Sequence, residues 1–292
     1  MKTILLALDF SPASEPATAW AKLFARHYNA ELVLVHVAAM PMPSPSIPAI
    51  GGAGLGMGMT MGEGMPINTD AIFEDRLAEL GQQLQAEGIR CQTDMRRGGI
   101  DDAILEAAKD HRADLIVTGR SHIGNFFDRL AGTVASDIAR GAHCPLLIVP
   151  SENMEAATKT AVSLRTIVFS TSLEFDETHV FGQVVELART LDAALRLLHV
   201  ESENQPNITS NDEILTPMQT VYGAEPLGVD TVASNTVTGG MEKYLNTHVV
   251  DLLVMTTRER GFLSGLLNPS LTSRMAVRSE VPLLVYQAEG DL

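Results

Sequence analysis

The chain has 292 residues, of which 45% are apolar and 20% charged. It is therefore long enough for two domains of ordinary size and apolar enough to bury a core in each. Its net charge of −15 argues against a nucleic acid or an anionic membrane surface as partner, because both attract cationic proteins. The negative charge does not exclude a small phosphate-containing ligand, since backbone N–H groups bind phosphate without lysine or arginine.

In chain order, the first 150 residues predict strands that alternate with helices. Short apolar runs are typical of strands buried on both faces, and apolar residues at helical spacing predict the inward faces of helices. On the second helix these inward residues are Ile72, Leu77, Leu80 and Leu84. The third strand is less apolar, and we expect it near a sheet edge. The predicted elements are strand Ile4–Leu8, helix Ala17–Tyr28, strand Leu32–Val37, helix Ala71–Ala86, strand Arg90–Arg96, helix Asp101–Asp110, strand Leu115–Thr118, helix Val134–Arg140 and strand Leu146–Val149.

This alternation of strands and helices predicts an α/β fold. Such a pattern forms a parallel sheet with helices on both faces. We therefore expect a doubly wound, Rossmann-like domain with five mostly parallel strands. Ligands of such sheets bind beyond the carboxyl ends of the strands, at the point where the strand order reverses.

The sequence also repeats internally. From Ile4 to Val37 it aligns without a gap with residues 167–200, at an offset of 163 positions. Further along, residues 113–117 and 143–149 match residues 250–254 and 280–286 at an offset of 137. The first half must therefore contain 26 residues that the second half lacks.

Residues 41–66 are the candidate insertion, because they are rich in Pro, Gly, Met and Ser and cannot form a regular core element. The sequence thus predicts two homologous tandem domains, at residues 1–150 and 164–288. A polar linker, residues 151–163, joins them.

Polar residues and glycines follow the predicted strands of the first half. Asp9 comes after the first strand and can accept hydrogen bonds from a base amino group or from ribose hydroxyls. Gly119 comes after the fourth strand and would let another group approach the backbone closely. Gly132 and Thr133 precede a helix, where backbone N–H groups and a hydroxyl can bind an oxyanion.

The spacing Gly119-x2-His122-x9-Gly132-Thr133 resembles the Gly-x2-Gly-x9-Gly-Ser/Thr motif of nucleotide-binding members of the universal stress protein family. The resemblance includes the strand that ends at Asp9, the strand Leu32–Val37 and the closing segment from Cys144 to Val149. Because the second half repeats these elements, nearly the whole chain resembles a tandem universal stress protein.

The resemblance implies a fold of the adenine nucleotide alpha hydrolase type and an adenine nucleotide as ligand. ATP is the expected nucleotide, AMP and ADP are alternatives, and Mg²⁺ could accompany it. Adenine and ribose would be held by Asp9 and the backbone near Val37 and Ala38. The phosphates would be held by Gly119, Gly132, Thr133 and Val134.

Two side chains near this motif each allow two interpretations. His122 stands where the family has glycine, and it can either donate a hydrogen bond to phosphate or fill space in a site that has lost its ligand. Arg120 can be a phosphate partner or a solvated surface residue.

The second half departs from the motif. Ser172 stands at the position of Asp9. At the positions expected to bind phosphate, Glu259 adds a negative charge and Pro269 lacks a backbone N–H. Residues 1–150 contain 12 basic and 17 acidic residues, a net charge of −5, and residues 151–292 contain 9 and 19, a net charge of −10. We expect that the second domain does not bind ATP in the manner of the family, and that it is a structural partner or binds a less anionic ligand. The remaining positions of its motif are Thr256 and Ser270, beside Arg258 and Arg260.

Other residue types point to structural roles or leave alternatives open. Cys91 and Cys144 form no disulfide framework, and we expect small, buried or half-buried side chains in a reducing cytoplasm. The eight histidines lie in no zinc motif, and His36 and His199 occupy matching strand ends, which favours structural roles. The methionines of residues 41–66 could bind Cu(I) or form an adaptable contact surface.

Neither a secretory signal nor a membrane span is expected. The apolar run at the N-terminus is short and ends in an acidic residue, and no stretch reaches 18 apolar residues. The expected location is the cytoplasm. The closing strands Pro145–Pro150 and Val281–Tyr286 could pair within one chain as a pseudo-dimer, and association of two chains stays open.

The resemblance therefore implies a stress-response regulatory protein that binds ATP in its first domain and acts by ligand sensing and contact with an unknown protein partner. No Walker motif or nucleophile elbow is present. Two alternatives stay open: an interaction or scaffold protein without a nucleotide, and a slow ATP hydrolase.

Overall fold

The computed structural model describes residues 1–38, 69–120, 134–151, 162–171, 178–202, 228–257 and 281–287. The predicted insertion, residues 41–66, lies outside these ranges. The strands are β1 (Thr3–Ala7), β2 (Glu31–Ala38), β3 (Cys91–Arg97), β4 (Leu115–Arg120), β5 (Leu146–Pro150), β6 (Thr166–Ser170), β7 (Ala194–Ser202), β8 (Val229–Ser234), β9 (Leu252–Thr257) and β10 (Leu283–Gln287). The helices are α1 (Ser14–Tyr28), α2 (Thr69–Ala86), α3 (Ile100–Asp110), α4 (Val134–Gly141), α5 (Thr178–Thr190) and α6 (Val237–Thr247).

The strands form one sheet in the order β3-β2-β1-β4-β5-β10-β9-β6-β7-β8. Within each group of five, neighbouring strands are parallel. The strand order reverses between β1 and β4, and again between β6 and β9. The two tandem, doubly wound units predicted from the alternating pattern are therefore present, and the weakly apolar β3 lies at an edge as expected.

The two halves meet along an antiparallel seam between β5 and β10. Leu284 lies opposite Leu147, and Leu283 lies opposite Ile148. The predicted pairing of the closing strands within one chain is thus present. Gln287 adds a hydrogen bond across the halves, because its Nε2 donates to the carbonyl oxygen of Ala139 at 3.2 Å.

Both faces of the sheet carry an apolar core. The β1 residues Ile4, Leu5 and Leu6 are all 0% exposed, and successive side chains point to opposite faces. One face packs against α1, α2 and α5, and the other packs against α3, α4 and α6. Each core cluster contains residues of both halves, so the sheet and its two cores are continuous along the chain.

In helix α2, one of the residues predicted to face the core is instead exposed. Leu77 and Leu84 are buried as expected, but Ile72 is 47% exposed. At about 100° per residue, Ile72 lies about 140° around the helix from Leu77 and therefore on the opposite face. The inward residue of the first turn is instead Phe73, which lies four residues before Leu77.

In each half, one aspartate carboxylate accepts hydrogen bonds from backbone N–H groups at the start of the first strand. The Oδ2 atom of Asp114, just before β4, accepts hydrogen bonds from the backbone N–H groups of Lys2 and Thr3 at the start of β1. Asp251 does the same for Arg165 and Thr166 at the start of β6, both at 2.9 Å. These bonds set the alignment of neighbouring strands at matching positions of the duplication.

Among the helices that the structure describes, none has the length and apolar character needed to cross a lipid bilayer.

Candidate functional site

The carboxyl ends of β1, β2 and β4 lie side by side at the point of strand reversal. Ala7 of β1 is in register with Val35 of β2 and with Thr118 of β4. The candidate residues that follow these three positions therefore meet at one edge of the sheet. They are Asp9, Val37, Ala38, Gly119 and Arg120.

The remaining candidates come from the segment between β4 and α4. Val134 begins α4 and is 38% exposed. His122, Gly132 and Thr133 lie outside the described residues, so their roles stay predictions.

Asp9 is exposed and organises the turn between β1 and α1. Its Oδ1 atom accepts hydrogen bonds from the Ser11 N–H at 2.9 Å and from the Ser14 hydroxyl at 2.8 Å. Partial burial raises the pKa of Asp9, but the hydrogen bonds from Ser11 and Ser14 outweigh this effect and hold the pKa below the ordinary aspartate value. Among the described residues these bonds engage only Oδ1, which leaves Oδ2 as an acceptor at the strand edge.

The residue after Asp9 belongs to an aromatic cluster that was not predicted from the sequence. Phe10 has a φ of 56°, a backbone conformation that is costly for a bulky residue. Its ring stacks on Phe73 of α2, with centroids 5.8 Å apart, and Phe73 stacks on His36 at 4.2 Å. The guanidinium carbon of Arg76 lies 5.6 Å from the centre of the Phe10 ring. The four-residue spacing from Phe73 to Leu77 is the signal that could have placed Phe73 on the inward face of α2.

His36 and His199 have matching structural roles, as their matching positions predict. The Nδ1 atom of His36 donates to the carbonyl oxygen of Leu8 at 2.7 Å. His199 makes the equivalent bond to Thr171 at 3.2 Å. Each ring is buried and ties the end of one strand to the end of its neighbour.

Gly119 is explained by packing within the chain. A Cβ atom at this position would lie 2.3 Å from the carbonyl oxygen of Ala13 and 2.7 Å from its carbonyl carbon. The group that approaches its backbone closely is therefore the turn that leads into α1.

Arg120 is 8% exposed, so the interpretation of a solvated surface arginine is wrong. Its carbonyl oxygen accepts a hydrogen bond from the Ser151 N–H at 2.9 Å. Arg120 is the last residue of β4, so it lies at the same strand edge as the other candidates.

The matching edge of the second half is lined by small hydroxyl residues. Thr256 stands at the position of Gly119 and is 6% exposed, while Ser170 and Thr171 at the end of β6 are also buried. Ser172, Glu259, Pro269 and Ser270 lie outside the described residues, as do Arg258 and Arg260. The described part of this edge thus lacks the carboxylate and the glycine that mark the first half.

The cysteines and the possible metal ligands are the remaining candidates. Cys91 is half-buried and Cys144 is buried, and neither forms a disulfide, as expected. Burial raises the pKa of the Cys144 thiol to about 12, which leaves it protonated at neutral pH. Within the described ranges, no cluster of three or more His, Cys, Asp and Glu residues could hold a metal ion. The methionines of residues 41–66 lie outside those ranges.

Comparisons with known proteins place both halves in one family. A model of the universal stress protein family matches residues 1–150 and 164–287. A universal stress protein of Thermus aquaticus is 31% identical over 154 residues, which cover 51% of this chain and 98% of the relative. One from Mycolicibacterium smegmatis is 22% identical over 303 residues and covers 97% of this chain and 96% of its own.

The chain spans 29% of the length of two Mycobacterium tuberculosis universal stress proteins that it matches at 31% identity over 81 residues. Among solved structures, the crystal structure of a universal stress protein from Archaeoglobus fulgidus DSM 4304 has a TM-score of 0.63 at 17% identity and covers 99% of this chain and 97% of its own. At that identity the likeness concerns the fold alone. Since the family model matches nearly the whole chain in two consecutive copies, this protein belongs to the universal stress protein family.

Proposed function

We propose that the first half binds an adenine nucleotide, with ATP as the expected ligand. The observation that carries this proposal is the convergence of Asp9, the end of β2 and the end of β4 at the point of strand reversal, where sheets of this kind bind ligands. Membership of the universal stress protein family supports it. The proposed site residues are Asp9, Val37, Ala38, Gly119, Arg120, His122, Gly132, Thr133 and Val134.

Asp9 would select for a group with hydroxyl or amino donors. Its Oδ1 atom is committed to the turn, so Oδ2 would accept from ribose or adenine. The low pKa of Asp9 keeps the carboxylate charged at neutral pH, and a charged acceptor makes a stronger hydrogen bond.

The phosphates would lie toward the segment between β4 and α4. Unpaired N–H groups at the start of α4, with Gly132 and Thr133 before it, would bind them, and Mg²⁺ could accompany the nucleotide. Arg120 would add a positive charge close to the strand edge, where burial strengthens its effect.

The proposed role is regulation in the stress response. Bound nucleotide would favour one conformation of the surface around the site, which a protein partner could then recognise. The proposal places the protein in the cytoplasm.

Isothermal titration calorimetry of the full chain with ATP, ADP and AMP tests the proposal. Asp9→Asn keeps an acceptor for Ser11 and Ser14 but removes the charge, and we expect about tenfold weaker binding. Glu106→Gln removes one negative charge from the exposed surface of α3 and should bind like the wild type. Absence of binding by all three nucleotides, or equal affinity of Asp9→Asn and wild type, would overturn the proposal and favour the scaffold alternative.

A further inference from the structure

The end of β7 carries a buried hydroxyl that has no hydrogen-bond partner in the described part of the chain. Ser202 is 8% exposed, and its Oγ atom has no hydrogen-bond partner among the residues that the structure describes. Folded proteins almost always pair buried polar groups, and an exception often marks the place of a bound water or ion. Ser202 is therefore a candidate contact for a ligand.

Ser202 faces the start of α6. It is in register with Ser234 of β8, and paired residues of parallel strands point to the same face of the sheet. Val200, two residues earlier on that face, belongs to the core that α6 covers. The helix lies so close that a Cβ atom on Gly240 would be 2.3 Å from Val200, and one on Gly239 would be 3.1 Å from the Ser234 hydroxyl. The first turn of α6 thus lies over the Ser202–Ser234 pair.

This first turn offers hydrogen-bond donors. Thr236 caps the helix, because its hydroxyl oxygen accepts from the Gly239 N–H at 3.1 Å. The N–H groups of Val237 and Thr238 precede the first intrahelical bond and have no acceptor within the helix. Together with the hydroxyls of Ser202 and Ser234, they form a set of donors at the positive end of the helix dipole.

The equivalent helix of the first half carries its own negative charges at this place. Helix α3 has Asp101 and Asp102 in its first turn, and their carboxylates suit the positive end of the dipole. At the offset of 137, Gly239 stands at the position of Asp102. Helix α6 has no acidic residue in its first turn, so the place that a carboxylate takes in one half is open to an external anion in the other.

We propose that the start of α6, with Ser202 and Ser234, binds the phosphate group of a small ligand, either inorganic phosphate or a phosphate monoester. The site uses none of the residues of the nucleotide site proposed for the first half, so the two proposals stand separately. The net charge of −10 on residues 151–292 opposes any anion, and the local donors must outweigh this repulsion. Glu201, the acidic neighbour of Ser202, points to the other face of the sheet.

Calorimetric titration of the full chain without nucleotide tests this site, with sodium phosphate as one ligand and glycerol 3-phosphate as the other. Ser202→Ala should weaken binding about tenfold, because it removes a hydrogen bond to a charged group. Gly239→Asp, which restores the acidic pattern of α3, should weaken binding at least as much. Gly239→Asn has the same size without the charge and should bind more tightly than Gly239→Asp. Ser170→Ala, another buried serine at 7% exposure, is the matched control and should bind like the wild type.

Thermal unfolding separates a ligand contact from a structural serine. Without phosphate, Ser202→Ala should melt at or above the temperature of the wild type, since it removes a buried hydroxyl that pairs with none of the described residues. With phosphate, the melting temperature of the wild type should rise more than that of the variant. A site that prefers the monoester takes a phosphorylated small molecule, and a site that binds both equally recognises the phosphate alone.

Two outcomes would overturn the proposal: neither ligand binds, or both bind equally well to the wild type, Ser202→Ala and Gly239→Asp. In the second case phosphate binds elsewhere, for example in the first half. Failure of the chain to bind ATP would leave this test unaffected.

Discussion

Gly119 illustrates how one residue can satisfy a ligand motif and a packing requirement at once. Its position in a family motif suggests a close approach by phosphate, yet the backbone carbonyl of Ala13 already occupies the space where a Cβ atom would lie. A glycine is therefore needed here whether or not a ligand binds. The presence of a motif glycine alone is weak support for a ligand when the chain itself accounts for the glycine.

Substitution of Gly119 by alanine should therefore destabilise the free protein. The new Cβ atom would lie 2.3 Å from the Ala13 oxygen, and relief requires a shift of backbone. We expect the free energy of unfolding to fall by about 2–4 kcal/mol, measured by urea denaturation without nucleotide. Gly228→Ala is the control, because a Cβ atom there would meet none of the residues that the structure describes within 4 Å, and it should change stability by less than about 0.5 kcal/mol. Equal effects of the two substitutions would contradict this account.

Helix α2 shows which properties of an element follow from its sequence. Its existence and approximate bounds follow from apolar residues at helical spacing, a local pattern. The residue that completes its inward face does not, because Ile72 and Phe73 are both apolar neighbours. The stack of Phe73 on His36 and Phe10 decides between them, and those partners lie 37 and 63 positions earlier in the chain.

The edge strand β3 is joined to the end of α3 by an ionic cluster. The Oδ2 atom of Asp94 accepts from Arg96 Nη2 at 2.7 Å and from His111 Nε2 at 2.8 Å, and Arg96 also bonds Asp110 at 2.9 Å. Burial raises the pKa of Asp94, but the hydrogen bonds from Arg96 and His111 outweigh it and lower the pKa below the ordinary value. The Asp94 side chain is 16% exposed, so solvent screens the cluster only in part.

This cluster should make stability depend on pH. Since the pKa of Asp94 is lower in the folded state, its contribution is complete above the pKa of the unfolded chain and is lost as the pH falls through the folded value. Asp94→Asn should lower the free energy of unfolding by about 1–2 kcal/mol at pH 7, and the difference should shrink below about pH 4. Urea denaturation at pH 7, 5 and 3 measures this.

Asp75→Asn, on the exposed surface of α2, removes the same charge and serves as control for Asp94→Asn. It should show a smaller loss at pH 7. A constant difference between Asp94→Asn and wild type across the pH range would contradict the expected linkage.

At the scale of the whole molecule, the seam between β5 and β10 turns two domains into one structure. The sheet continues from β3 to β8, and both core clusters include side chains from each half. Opening the seam would expose buried residues such as Leu147 and Leu284, both 0% exposed. The apolar cores that the two halves share are the physical reason to expect the halves to unfold together.

Calorimetry should therefore show one thermal transition for the full chain, with equal calorimetric and van't Hoff enthalpies. Leu34→Ala in the first half and Leu197→Ala in the second, both at 0% exposure, should each shift that same transition downward. The expected loss is about 2–5 kcal/mol for each variant. Two transitions, of which each variant moves only one, would show that the halves unfold independently.

The sequence by itself determined the alternation of strands and helices, the duplication and the pairing of the closing strands, because periodicity and repetition are properties of neighbouring residues and of fixed offsets. It also predicted that Asp9, Val37, Ala38 and Gly119 lie at one edge of the sheet, since the carboxyl ends of parallel strands lie at the same edge.

Only the tertiary structure decided that Arg120 is buried, that Ala13 explains Gly119, and that Ser202, beneath α6, has no partner among the residues that the structure describes. Each of these facts depends on atoms that belong to distant parts of the chain. Burial, steric contact and hydrogen-bond pairing arise only when those parts of the chain meet. A local sequence pattern does not determine which atoms then come into contact.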